Sequence, residues 1–297
     1  MLDSFKLLEN VLFEIEKNIK TRITAESLAK TVALSNAHLQ RLFRIAFERP
    51  LASYVRSRKL ADSLDSLLKT NLRIIDIAEE YGFEYEQSYI RAFKREYGAT
   101  PGEARSAGHI IKITPPLQLT KKNKMGDGLF FGPEFVMVPT FHVIGRQHKI
   151  PLDASIEEAP KVAKDFWVND SKNIENKVRD DIYIGLTRQS PNSTDHSHYL
   201  PSVPVRKHVD IALGLHTDTF LASLCARFHY VSQNSYFDLN RMVASQMYET
   251  IEEFLNDDGA GYRPIDKKLY FERIDGADYD GAFYKLEWYI PVQKKDA

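Results

Sequence analysis

The 297-residue sequence predicts a multi-domain chain: an all-α front of about seven helices, then an α+β back. Three observations lead there. Ala25 to Phe47 and Ile74 to Tyr97 each read as helix, short turn, helix, so one device is written twice. Residues 109–129 then change character, with Pro115-Pro116, Lys121, Lys122, Lys124, Gly126 and Gly128, the composition of a linker. Beyond it, runs of strand and helix character follow the order strand, helix, strand, strand twice, as a duplicated α+β unit would. The expected boundaries are 1–108 for the front domain, 109–129 for the linker and 130–297 for the back domain.

Composition excludes several classes. Hydrophobic residues make up 43% of the chain, enough for packed cores. No apolar run approaches the roughly 18 residues that a membrane span needs. The opening M-L-D-S-F-K-L-L-E-N lacks a signal-peptide core, and a lone Cys225 fits a reducing compartment, so a cytoplasmic protein is expected. Neither G-x-G-x-x-G nor a Walker sequence is present, so no cofactor is expected. His196 and His198 lack a cysteine partner and read as a loop rather than a metal site. Net charge is −1, with 17 Lys/Arg against 15 Asp/Glu in residues 1–108 and 23 against 26 beyond. The informative feature is clustering: Arg41, Arg44, Arg49, Arg56, Arg58 and Lys59 fall in one short interval, a pattern suited to phosphates.

In the front, Leu8, Leu12, Ile15 and Ile19 form one helical stripe. Thr24 caps the next helix, with Ser27 in the capping-box position, and Ser35 caps the one after. There Leu39, Leu42, Phe43 and Ala46 face inward, which turns Asn36, Ala37, Gln40, Arg41 and Arg44 outward. Pro50 opens a long connecting helix. Ile74, Ile77, Ala78 and Tyr81 make another apolar stripe, and Gly82 suits a turn with positive φ. Tyr89 and Phe93 pack inward, leaving Gln87, Ser88, Arg91 and Arg95 outside; Thr100-Pro101 is read as the stop. Such outer faces fit base reading, because arginine can bridge guanine O6 and N7 while Gln or Asn bridges adenine N6 and N7. A solvated bundle face is the plainer alternative.

In the back, F-V-M-V-P-T-F-H-V-I-G-R-Q-H, D-I-Y-I-G-L-T, F-L-A-S-L-C-A-R-F-H-Y-V, K-L-Y-F-E-R-I and Y-K-L-E-W-Y-I-P-V read as strands. Ser155 to Val168 and Arg241 to Leu255 read as helices. Glu272 and Glu287 each stand mid-strand between aromatic residues. Such carboxylates either face a pocket or lie on a wet strand face, and alternation alone favours the second.

The run S-N-A-H-L-Q-R-L-F-R-I-A-F resembles the first reading helix of AraC-type transcription regulators. I-I-D-I-A-E-E-Y-G-F-E-Y-E-Q-S-Y-I-R-A-F-K-R-E-Y-G-A-T-P resembles that family's second-unit signature. The likeness is to the Rob/MarA subgroup, in which this domain is N-terminal or stands alone. It implies a monomer on double-stranded DNA with two helices in successive major-groove segments, RNA polymerase as a partner, and a lean toward activation. By position, Gln40, Arg41 and Arg91 match family base readers; Ala37 replaces a tryptophan, and Glu86 and Gln87 replace two glutamines. Y-F-E-R-I-D-G with L-E-W-Y-I-P-V, D-F-W-V-N and I-G-L-T-R-Q-S resembles a GyrI-like effector-binding domain. That likeness implies a groove with a glutamate at its base, Glu272 as the main one and Glu287 as the second. Tyr289, Trp167, Phe228 and Tyr230 are its implied walls, and the expected effector is a small organic molecule, with an organic cation as the candidate. An alternative function is a hydrolase or a sequestering module built on the same groove.

Overall fold

A computed structural model describes residues 4–107, 111–152, 155–188, 195–207, 213–235, 237, 239, 241–256, 261–266, 269–279 and 283–294. The chain divides into two compact units, Met1–Lys121 and Lys122–Ala297.

The front unit holds α1 (Ser4–Lys17), α2 (Ala25–Thr31), α3 (Asn36–Phe47), α4 (Leu51–Lys69), α5 (Ile74–Glu80), α6 (Glu86–Tyr97) and α7 (Pro101–Ala107). Local chemistry sets these ends. Thr24 accepts from the Ser27 N–H at 3.0 Å while Ser27 accepts from the Thr24 N–H at 3.2 Å, a reciprocal cap at the start of α2. Ser35 accepts from the His38 N–H at 3.2 Å and starts α3. In the second turn Gly82 takes φ +68°, and a Cβ there would meet the Thr21 carbonyl oxygen at 3.0 Å, so only glycine fits comfortably. Pro101 corrects one expectation. It is not a stop but the first residue of α7, where its missing N–H costs nothing, and Thr100 and Glu103 bond each other's backbone as a cap.

The twin units align closely. α3 and α6 match at a constant offset: Ser35 with Tyr85 before each helix, Arg41 with Arg91, Phe43 with Phe93, and left-handed residues Glu48 and Gly98 after each. Leu39, Leu42 and Phe43 are buried on α3, as are Tyr89, Ala92 and Phe93 on α6.

α4 ties the two units together from inside. Buried Lys59 donates to the Thr21 carbonyl at 2.6 Å and the Tyr81 carbonyl at 2.8 Å, and burial draws its pKa down to about 8. Arg58 grips Glu16 at 2.8 and 2.9 Å and donates to the Thr114 carbonyl at 2.7 Å. Arg49 donates to Ser57 and lies over the Tyr54 ring. These three cations therefore serve the interior and not phosphates, because each meets a carbonyl, hydroxyl, carboxylate or ring that needs it.

The expected linker is not a plain tether where it is described; residues 109 and 110 lie outside the described residues. Besides the bond from Arg58 to Thr114, the Leu117 N–H donates to the Tyr54 hydroxyl at 2.9 Å, and Ile111 packs on the α4–α6 core. Lys124–Met125 already pairs with the back sheet.

The back unit contains β1 (Lys124–Met125), β2 (Gly128–Val138), β3 (Phe141–Gly145), β4 (His148–Pro151), α8 (Ser155–Asn169), β5 (Ile182–Arg188) and β6 (His196–Val205). After these come β7 (His216–Phe220), β8 (Ser223–Ser232), α9 (Arg241–Asn256), β9 (Tyr262–Pro264), β10 (Leu269–Asp275) and β11 (Tyr284–Lys294). The sheet runs β1-β2-β8-β11-β10-β5-β6-β3-β7, and its pairs are antiparallel. β3-α8-β5-β6 and β8-α9-β10-β11 are the two copies. Each copy places its last strand between its other two, and β5 meets β10 at the centre. β2 and β7, which lead the copies, cross over to pair with the opposite copy's first strand. Two corrections follow. His196 and His198 lie on β6 and not in a loop; Pro201 and Pro204 hide its strand signal. The run from Phe220 is two strands, broken at Leu221-Ala222.

Alternation assigns the faces. Tyr183, Ile274, Leu286 and Trp288 share a core with Ala163 and Phe166 of α8 and Val243 and Met247 of α9. Ile182, Ile184, Phe271, Tyr289 and Cys225 face the other way. Burial pushes the Cys225 thiol up to about 12, which leaves it an inert hydrophobe. Gly185 sits opposite Glu272, and a Cβ there would meet the Tyr199 hydroxyl at 2.5 Å and Glu272 Oε2 at 2.6 Å. Gly185→Ala should therefore destabilise the back unit by about 1–3 kcal/mol in urea denaturation; an unchanged midpoint would mean this centre yields freely.

Candidate nucleic-acid interface and ligand cavities

On α3 the residues Ala37, Gln40, Arg41 and Arg44 are exposed and Asn36 partly so, opposite the buried Leu39-Leu42-Phe43 stripe. Asn36 donates to Glu26 at 2.6 Å, and Gln40 donates to Asn36 at 2.7 Å. This chain holds the Gln40 carboxamide in place, so less rotamer freedom remains to lose on contact. On α6 the residues Gln87, Arg91 and Arg95 are exposed, with Glu86 and Ser88 half-buried. Arg56 of α4 joins Ser88, Arg91 and Arg95 around one concavity, which concentrates positive charge beside α6.

Sequence inspection misses one position on this surface. With the helices in register, the place of Gln40 is taken on α6 by Ile90, which is half-buried and lies among Glu86, Gln87 and Arg91. The cap register is the signal that finds it. α6 also differs at its start: Tyr85 stands where Ser35 caps α3, makes no side-chain cap, and is 64% exposed.

The six ligand candidates of the back unit do not converge. Glu272 and Glu287 are each 2% exposed and lie on opposite faces of the sheet, since Glu272 pairs with Trp288 and Arg273 with Glu287. A single groove floored by both is thereby corrected: neighbours one residue out of step point to opposite faces. Glu272 accepts from the Tyr199 hydroxyl at 3.0 Å and the Tyr248 hydroxyl at 3.3 Å, under the helices. Phe228 is core, stacked on Phe130 at 5.7 Å with Phe254 edge-on at 5.6 Å, and lines neither cavity described below.

Glu287 meets Arg273 at 2.8 Å, Lys285 at 3.0 Å and Arg227 at 3.3 Å, and accepts from the Tyr289 hydroxyl at 3.1 Å. Burial alone would raise its pKa, but Lys285 and then Arg273 outweigh that and hold it below the ordinary carboxylate value. Its partners Arg227, Arg273 and Tyr289 line a groove of about 410 Å³ on the face away from the helices, which Glu287 itself does not line. Its walls are Val136, Val138, Phe141, Ile184, Phe271 and Tyr289, with Arg227 and Arg273 as polar groups. Trp167 and Tyr230 belong elsewhere, to a second cavity of about 190 Å³ on the helix face.

A tandem helix-turn-helix unit with matched polar faces defines a class, the DNA-binding helix-turn-helix proteins. The sequence model of the family described as a helix-turn-helix domain matches residues 28–107. The transcriptional activator AarP of Providencia stuartii is 35% identical over 95 residues, 32% of this chain and 70% of that protein. The multiple antibiotic resistance protein MarA of Salmonella typhimurium is 33% identical over 98 residues, 33% of this chain and 77% of that one. The right origin-binding protein of Escherichia coli K12 is 30% identical over 172 residues, a match too long for the front unit alone. It spans 56% of this chain and 57% of that protein. The chain belongs to the AraC-type family of helix-turn-helix transcription regulators. Among the described residues, no helix is long and apolar enough to cross a membrane.

Proposed function

We propose that this protein is a sequence-specific regulator of transcription that binds double-stranded DNA as a monomer. α3 and α6 enter two successive major-groove segments, and the back unit takes a small organic effector in the groove beside Arg227, Arg273 and Tyr289. The observation that carries this reading is the exposure of Gln40 and Arg41 on α3 and of Gln87 and Arg91 at the equivalent face of α6. In keeping with AarP, whose name calls it an activator, the regulator acts positively and meets RNA polymerase at promoters.

Glu287 spends its oxygens on two arginines, a lysine and a tyrosine, so it offers an organic cation no open carboxylate. An uncharged apolar effector fits the groove better, with Arg227 and Arg273 left to meet a polar end. The same saturation leaves Glu287 no lone pair to act as a general base, so a hydrolase reading gains nothing from it.

Selection of sites from a random duplex pool tests the DNA reading. It should return one asymmetric site with two informative blocks; a pool without enrichment would contradict it. Within the second block, Ile90 should favour thymine, whose 5-methyl group is the apolar mark of the major groove. Replacing that thymine with deoxyuridine should weaken wild-type binding about fourfold, the worth of one buried methyl group. Ile90→Ala should be indifferent to the exchange. Equal sensitivity in both proteins would remove Ile90 from base contact.

A further inference from the structure

On the reading of α3 as a base-contacting helix, we infer that Glu26 of α2 is a positioning residue. Through Asn36 it fixes which way the Gln40 carboxamide faces, and so sets adenine over guanine at the base Gln40 meets. Asn36 donates to Glu26 Oε1 at 2.6 Å, and Gln40 Nε2 donates to Asn36 Oδ1 at 2.7 Å.

Chemistry gives this relay one direction. A carboxylate only accepts, so Asn36 must turn its NH2 group to Glu26. Its carbonyl oxygen then faces Gln40, and Gln40 must answer with its own NH2 group. One N–H of Gln40 is spent there; its carbonyl oxygen and its other N–H are left for a base. That pair matches adenine, whose N6 donates and whose N7 accepts. Guanine carries acceptors at both places, so the fixed carbonyl oxygen meets O6 and is repelled. An amide free to flip would offer its NH2 group to O6 instead. Glu26 and Gln40 are exposed, and in the free protein water satisfies either orientation. A base that covers Gln40 excludes that water, and a wrongly turned amide then leaves polar groups unpaired.

The twin unit ties the relay to the amide. Thr24 and Arg73 precede the first helix of each unit, as Ser35 and Tyr85 precede the second. Counted from these caps, the places of Glu26, Asn36 and Gln40 are taken by Ile75, Glu86 and Ile90. Where there is no amide to orient, the carboxylate on the first helix is missing too. The next residue, Asp76, is held by Arg73 at 2.6 and 2.8 Å. Glu26 should therefore act on the first block of the DNA site alone.

Titration of single-base variants of the selected site tests this. Gln40→Ala identifies the position, as the one where base preference disappears. There wild type should prefer adenine to guanine by about thirtyfold, the middle of the range for a bidentate contact. Glu26→Gln, an exposed substitution of equal size that can donate as well as accept, should cut that ratio at least about fivefold, mainly through better guanine binding. Glu26→Gln combined with Asn36→Asp moves the carboxylate one step along the relay and restores its direction, so the ratio should return to the wild-type range. Preferences at the guanine assigned to Arg41 and in the second block should not change. An unchanged ratio in Glu26→Gln, or a double variant no better than the single one, would overturn the role of Glu26 and leave the DNA reading intact. If Gln40→Ala relaxes no position, Gln40 is not a base contact, and the reading of α3 falls together with the role of Glu26.

Discussion

Arg41→Ala should cost roughly 1–3 kcal/mol of discrimination at one guanine, about 5- to 150-fold in affinity ratio between the preferred base and its replacements. The reason is geometric. Arg41 projects from α3 beside a carboxamide that Asn36 and Glu26 hold in place, and a planar guanidinium matches the O6 and N7 acceptors of guanine together. The comparison should use fixed salt, since phosphate contacts alone change affinity steeply with ionic strength. Titration of the preferred site and of its three single-base variants at that position checks it. A loss of the same size on every sequence would make Arg41 a phosphate contact instead.

The second large effect lies in the back unit. Glu287→Gln should destabilise that unit by about 3 kcal/mol, because three buried or half-buried cations lose the buried carboxylate they share and keep only Glu134, Asp275 and Asp278 nearer the surface. The two tryptophans, Trp167 and Trp288, both lie in this unit, so their fluorescence during denaturation of the full chain follows it alone. The sign with pH is set by the lowered pKa of Glu287. Its contribution is complete above the ordinary carboxylate value and is lost as pH falls through the lower folded value. The gap in stability between wild type and Glu287→Gln should therefore narrow in acid. A gap that stays constant from neutral to acidic pH would mean the carboxylate is not what holds this cluster.

The front unit was largely legible because its signals are local. Thr24, Ser27 and Ser35 sit where caps must sit, and the apolar stripes of α3 and α6 leave their polar faces with nowhere to point but outward. Charge was less legible. Arg58 and Lys59 look like their neighbours Arg41 and Arg44 in sequence, yet Glu16 and two carbonyls claim them, and those partners lie far away along the chain. Pro101 shows the ambiguity of a proline, which ends one helix and begins the next with equal ease. In the back unit the duplicated order of elements could be read, but the strand carrying Pro201 and Pro204 could not. Glu272 and Glu287 looked alike because each sits between aromatics. Only strand pairing separates them, and pairing is a long-range fact that alternation within one strand does not fix. The cations that saturate Glu287 come from two other strands and from its own, so its loss of an open carboxylate was equally hidden.

The central claim is that α3 and α6 read two separate stretches of one duplex. Dimethyl sulfate protection of guanine N7 on the selected site measures this most directly. Two protected clusters about 10 bp apart are expected. Arg41→Ala should expose guanines of one cluster and Arg91→Ala those of the other. A single cluster, or the loss of both with either substitution, would contradict the assignment of the two helices to successive major-groove segments.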